Sequence, residues 1–116
     1  MNIALIIVAG FLGIATTFSA MGKLRRMPQV VQMLNHVGVS DSQIRLLAFV
    51  ELLGALGLLL GIWVPVLGQL AAAGFLIYFV GAVIAHARAK DAFKDLAPAL
   101  SLAGISLVTL VLQLQR

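Results

Sequence analysis

Long stretches of the chain carry no charge, and their lengths set the architecture. From Asn2 to Gly22 there are 21 consecutive uncharged residues, which as a helix cover about 31 Å, one bilayer crossing. Phe18-Ser19-Ala20 has the form of a small-residue cleavage site, but no Lys or Arg precedes the apolar run and the run exceeds a signal-peptide core. A retained helix is expected. From Leu52 to Ala85 there are 34 uncharged residues, about 51 Å as one helix, too long for a single span. The run must fold back at Pro65, which has no amide donor and disfavours helical geometry at Val64, with Trp63 marking the interface. Leu96 to Gln115 forms a fourth apolar run, with Asp95 as candidate N-cap and Pro98 in the first turn. Spans are expected at about 2–22, 43–64, 66–87 and 96–115.

Met27 to Val39 reads differently. Val30, Val31, Leu34 and Val37 recur at helical spacing among Gln29, Gln32, Asn35 and His36, and Pro28 can start a helix. A short interfacial helix is expected at about 28–37, closed by Gly38 at C′. Ser40-Asp41-Ser42-Gln43 then has the form of a capping box, so the next helix starts near Asp41. The fold class predicted is an all-α polytopic membrane protein, a four-transmembrane-helix bundle with an interfacial helix between helices one and two. With no linker, low-complexity tract or internal repeat, residues 1–116 read as a single transmembrane domain.

Composition narrows the functional classes. The chain is 62% hydrophobic and only 10% charged, with a mean hydropathy of +1.12, which excludes an ordinary soluble domain and intrinsic disorder. With no cysteine, disulfides, zinc–thiolate sites, iron–sulfur clusters and thiol redox chemistry are excluded within the chain. The net charge of +4 records topology rather than nucleic-acid binding, since basic and aromatic residues are not interleaved. Lys23, Arg25, Arg26 and Arg45 flank the first loop and Arg88, Lys90 and Lys94 the third, leaving only Arg116 at the opposite end. Both termini are therefore expected to be extracytoplasmic, in a multi-pass membrane protein. Ala9, Gly13, Gly57, Gly61, Gly74, Gly81 and Ala85 are expected where helices meet, within the subunit more than between copies of a homo-oligomer.

Glu51 is the main functional candidate, because an unpaired carboxylate about two turns past Arg45 costs about 2–3 kcal/mol in a membrane. Helical side chains lean toward the N-terminus of their helix, which directs Glu51 toward the cytoplasm while Lys23, His86 and Arg88 lean into the membrane. Tyr78 lies 13 residues after Pro65 and Glu51 lies 14 before it, so the two share a depth. Thr16, Ser19 and Lys23 form a polar stripe on one face of the first helix. The expected polar or ligand-binding cluster is Lys23, Glu51, Tyr78, His86 and Arg88. Three of these have a plainer reading: a buried pair that fixes register for Glu51, a snorkelling topology signal for Lys23, a solvated helix end for His86. No metal site, nucleophile–base pair, phosphate loop or dinucleotide fingerprint can be assembled, and no catalytic residue is assigned.

Three segments carry a family resemblance: Ser19-Ala20-Met21-Gly22-Lys23-Leu24, Glu51-Leu52-Leu53-Gly54-Ala55-Leu56-Gly57-Leu58-Leu59-Leu60-Gly61, and His86-Ala87-Arg88-Ala89-Lys90-Asp91. Together they resemble the DoxX-like membrane proteins over nearly the whole chain. The resemblance implies a four-helix bacterial inner-membrane protein, with the family's Lys, Glu, His and Arg positions at Lys23, Glu51, His86 and Arg88. It also implies a link to quinone chemistry, because the family takes its name from a subunit of a thiosulfate:quinone oxidoreductase. The first functional expectation is a non-catalytic or accessory subunit that binds a lipid-soluble ligand, with quinone as the candidate, or docks a membrane or cytoplasmic redox partner. Autonomous catalysis is not expected; the nearest enzymatic role is as a subunit of a quinone-linked oxidoreductase. The alternatives are a small oligomeric proton-coupled transporter, in which Glu51 titrates, and a structural membrane-assembly module.

Overall fold

The computed structural model describes residues 3–116, and every regular element among them is helical: α1 Ile3–Leu24, α2 Pro28–His36, α3 Asp41–Leu60, α4 Pro65–Arg88 and α5 Phe93–Leu114. Four of them, of 22, 20, 24 and 22 residues, are long and apolar enough to cross a membrane. The short α2 lies between the first and second spans. The expected start of the first span at residue 2 lies outside the described residues.

The side-chain distribution is the reverse of a soluble bundle. Large aliphatic and aromatic groups such as Ile7, Ile14, Phe18, Leu53, Leu70 and Ile77 point outward. The buried set is rich in alanine, including Ala20, Ala48, Ala72 and Ala103, and holds Thr16, Glu51, Ser106, Thr109 and Gln113. Hydrocarbon solvates the outer face at no cost, so exposed isoleucines carry no penalty, whereas polar groups must find partners inside. Thr16, Ser106 and Thr109 do so by donating to the carbonyls of Leu12, Leu102 and Ile105 in the preceding turn.

The four long helices close into a ring: α1 packs on α3 and α5, and α4 packs on α3 and α5, with no close backbone approach across either diagonal among the described residues. Leu12, Leu58, Phe75, Phe79 and Ala103 form the apolar centre, where Phe75 and Phe79 stack at 5.9 Å between centroids. The α3–α4 hairpin turns at Gly61–Val64, with Pro65 as the first residue of α4. A Cβ on Gly61 would lie 2.5 Å from Gly68 Cα, and one on Gly57 would lie 3.0 Å from Ala71 Cβ. These two glycines therefore set how closely α3 and α4 approach within the subunit. Arg116 donates to the Gly61 carbonyl at 2.6 Å and to the Ile62 carbonyl at 3.2 Å, satisfying acceptors that the end of α3 leaves open.

Three helix ends at the opposite face share one device. Met27 N–H donates to Gly22 O, Val39 N–H to Leu34 O and Asp91 N–H to His86 O, each closing a helix by a Schellman turn. The left-handed residue is Gly38 (φ 93) after α2, but Arg26 (φ 53) after α1 and Lys90 (φ 59) after α4. The capping box is present: Ser40 accepts from Gln43 N–H, and the Gln43 side chain accepts from Ser40 N–H.

Two expectations are corrected. Asp95 does not cap α5; the helix begins at Phe93 with Ala92 as N-cap. The backbone closes one turn earlier because Asp95 N–H and Leu96 N–H both bond to Ala92 O, which leaves Asp95 in the first turn, where its charge suits the helix dipole. Pro98 is consequently inside the helix rather than in its first turn, and costs the bond its amide would have made to Lys94 O. Gly13, Gly74 and Gly81 do not mediate close helix contacts, for a Cβ on any of them meets nothing within 4 Å. Gly13 lines an apolar groove between α1 and α3, and Gly81 is exposed at the edge of a cavity beside α2.

Gly61→Ala should lower thermal stability in detergent, by about 1–3 kcal/mol as overpacking usually costs. Gly74→Ala should be neutral or stabilising by up to about 1 kcal/mol through helix propensity. Equal melting temperatures for the two variants would contradict the α3–α4 packing.

Candidate functional site: a buried ion pair beside an apolar cavity

Ser19 and Lys23 stand one turn apart on α1, over a face of α3 that presents Glu51. Lys23 Nζ lies 2.6 Å from Glu51 Oε1 and 2.7 Å from Ser19 Oγ, and the Ser19 hydroxyl donates to the same carboxylate oxygen at 3.2 Å. The side chains are 9% exposed for Lys23 and 0% for Glu51. A pair removed from water this fully is net favourable only when hydrogen bonds complete it, and Ser19 supplies one of them. Helix geometry makes the meeting natural: Lys23 leans back from the last turn of α1, and Glu51 leans back along α3 from the middle of its helix.

The other carboxylate oxygen is unsatisfied. Glu51 Oε2 is enclosed and has no hydrogen-bond partner among the described residues. The Tyr78 phenol on α4 lies close enough to interact with the Glu51 carboxylate but falls short of hydrogen-bonding geometry with Oε2. Its ring is held edge-on against Phe79 at 5.0 Å. An unpartnered, fully enclosed carboxylate oxygen costs free energy wherever it occurs, on the order of 1–3 kcal/mol.

Next to this pair is a cavity of about 430 Å³, within the size range of small-molecule sites. Its walls are mostly apolar, with Leu34 and Val37 from α2, Ile77 and Ala82 from α4 and Leu102 from α5. Ser19, Lys23, Tyr78 and His86 supply polar groups on the same surface, and Asp95 adds an acidic one. Glu51 itself lies behind this surface, reached through Lys23 and Ser19.

His86 is not part of the Glu51 pair. Its Nδ1 is 2.7 Å from Asp91 Oδ2, while Asp91 Oδ1 is 2.8 Å from His36 Nε2 on α2. The hydrogen bond to His86 holds the Asp91 carboxyl below its ordinary value; His36 adds to this and desolvation opposes it. Arg88 is exposed on the outside of the same helix end. It lines a shallow depression with His36 and Gly38 and makes no ion pair among the described residues. Geometry thus gathers Lys23, Glu51 and Tyr78, places His86 on the shared cavity, and leaves Arg88 apart.

Two participants were not anticipated from sequence. Asp91 joins both histidines, and its position is explained by the Schellman turn at Lys90, which folds the residue five beyond His86 back onto the end of α4. Ser19 was visible as part of a polar stripe, yet its role as the bridge between Lys23 and Glu51 depends on the α1–α3 crossing. Among the described residues, no group of three or more His, Cys, Asp or Glu side chains gathers as a metal site would require.

Comparison with known proteins agrees with this architecture. No curated protein and no solved structure matches the chain. The family model described as the DoxX-like family matches residues 7–109, which takes in α3 and α4, most of α1 and α5, the Lys23–Glu51 pair, Tyr78 and the histidines. This four-helix membrane protein belongs to the DoxX-like family.

Proposed function

We propose that the protein is a non-catalytic membrane subunit that holds a lipid-soluble, oxygen-bearing ring compound, a quinone in kind, in the cavity between α2, α4 and α5, and presents it to a membrane redox partner. The observation that carries this reading is the pairing of an apolar cavity of about 430 Å³ with Ser19, Lys23, Tyr78 and His86 on its surface. A quinone carbonyl needs a donor, and the Lys23 ammonium, Tyr78 hydroxyl or His86 ring can supply one. A reduced, hydroxyl-bearing form instead needs an acceptor, and the unsatisfied Glu51 oxygen provides one if the Lys23–Ser19 bridge shifts. The ligand's apolar tail would leave between helices, where lipid solvates it.

In this reading the basic ends of α1, α4 and α5 face the cytoplasm and both termini lie outside it, in the inner membrane of a bacterial cell. Support comes from Lys23, Arg25, Arg26, Arg45, Arg88, Lys90 and Lys94, all at one end of the bundle. The chain has no cysteine, so single cysteines at Trp63 and Lys90 report sidedness directly. An impermeant maleimide applied to intact cells should label residue 63 and spare residue 90; the reverse pattern would overturn the orientation.

Ligand binding is tested with decylubiquinone as the probe, added to the purified protein and followed by native mass spectrometry. One bound molecule is expected. Gly81 stands at the edge of the cavity and a Cβ there meets nothing within 4 Å, so Gly81→Leu should keep the fold, narrow the cavity and abolish the adduct. No adduct with the unaltered protein, or one that persists in Gly81→Leu, would refute the cavity as the binding site. Retention of phospholipid in place of the quinone would refute the ligand class.

A further inference from the structure

A chain of three titratable side chains runs from the cytoplasmic-end surface to the cavity. His36 on α2 is 59% exposed through its side chain, Asp91 is 11% exposed and His86 is 7% exposed. The links are His36 Nε2 to Asp91 Oδ1 at 2.8 Å and Asp91 Oδ2 to His86 Nδ1 at 2.7 Å. The last ring lines the cavity. Its Nε2 makes no hydrogen bond among the described residues and is not a fully enclosed polar atom, so it is available to donate or accept a proton. The chain uses both oxygens of one carboxylate and a ring nitrogen on either side of it, an arrangement that a static helix clasp does not require.

We propose that His36, Asp91 and His86 form a proton relay between the cytoplasmic-end surface and the ligand cavity. The relay rests on the cavity as a ligand site, and it specifies that the ligand exchanges protons. In the inward direction His36 Nδ1 takes a proton from water and Nε2 releases one to the Asp91 carboxylate at Oδ1. The carboxyl group turns and hands that proton to His86 Nδ1, and His86 Nε2 releases its own proton to an oxygen of the ligand. One proton enters, one leaves, no electron moves, Asp91 is again a carboxylate, and reorientation of both rings restores the starting tautomers. The reverse sequence drains a proton from a hydroxyl-bearing ligand to the surface.

The surroundings suit this role. The Asp91 carboxyl is held low by its histidine partners, so it conducts as a carboxylate and does not trap the proton. Arg88 and Lys90 on the α4 side, and Lys94 and Asp95 in the first turn of α5, are the other charged groups flanking it. None of them forms an ion pair with Asp91, which leaves the two imidazoles as its partners. Among the described residues the α2 backbone comes close to α3 and α1 but not to α4 or α5, and the His36 link ties it to the α4–α5 turn.

The test follows the exchange of the His86 ring N–H with solvent, by nitrogen-15 histidine NMR on the purified protein with no ligand added. Failure of quinone binding therefore leaves this readout intact. Asp91→Asn keeps hydrogen bonding to both rings but cannot pass a proton, and should slow His86 exchange by on the order of a hundredfold, the low end for positioned acid–base groups. His36→Gln, altered at the exposed end, should slow it in the same direction and leaves His86 as the sole histidine for assignment. A clasp that merely holds α2 down predicts the opposite sign, because loosening it opens the cavity and speeds exchange. Faster or unchanged exchange in both variants would overturn the relay.

Discussion

A carboxylate with no exposed surface, on a helix whose outer face is bare hydrocarbon, has to be neutralised from inside the bundle, and Lys23 does so at 2.6 Å. The surrounding architecture accommodates that contact. It fixes the rotation of α1 against α3, because a helix turned by one residue would swing Lys23 by about 100° and leave Glu51 unpaired in lipid. With α1 and α3 set, the close glycine contacts of Gly57 and Gly61 bring α4 onto α3, and α5 completes the ring between α4 and α1. The Arg116 bonds to the α3–α4 turn close the other end. Polar contacts thus secure both ends of a bundle whose middle is held by alanines and phenylalanines.

The same pair borders the cavity proposed as the ligand site. Lys23 and Ser19 both saturate Glu51 Oε1, and Oε2 is left without a partner. A purely structural pair gains by sharing its donors across both oxygens; this one is lopsided and stands beside a cavity. The cavity's far wall, α2, is held by left-handed turns at Arg26 and Gly38 and tied across the space through Asp91. Non-glycine residues at positive φ, such as Arg26 and Lys90, cost roughly 1–2 kcal/mol each, a cost that persists only where the surroundings over-determine the turn. At Lys90 what is determined is the placement of Asp91 between two histidines.

Much of the fold was legible because lipid imposes long uncharged runs and punctuates them with charge. The break at Pro65, the capping box at Ser40 and the left-handed Gly38 each follow from one local rule and a short window of sequence. Reading failed where tertiary packing decided. Asp95 looked like a cap, but Ala92 serves because the backbone closes a turn earlier. Gly74 and Gly13 looked like contact points, although which small residues touch depends on helix rotation, which spacing alone leaves open. At the site, lean direction was enough to aim Lys23 and Glu51 at each other. It gave no hint that Asp91 would claim His86, since that depends on Lys90 adopting a conformation ordinarily left to glycine.

The central claim, that the Lys23–Glu51 contact organises the bundle, is tested most directly by a double-mutant cycle of unfolding free energies in micelles. Glu51→Gln and Lys23→Met should each be destabilising, by about 3–5 kcal/mol as for other broken buried pairs. The double variant should lose clearly less than the sum, because the orphaned partner is removed along with its neighbour. Arg88→Ala, at an exposed residue outside the pair, should stay within about 0.5 kcal/mol of the unaltered protein. Strictly additive losses for Glu51 and Lys23, or a coupling that appears instead between Glu51 and Arg88, would contradict the account.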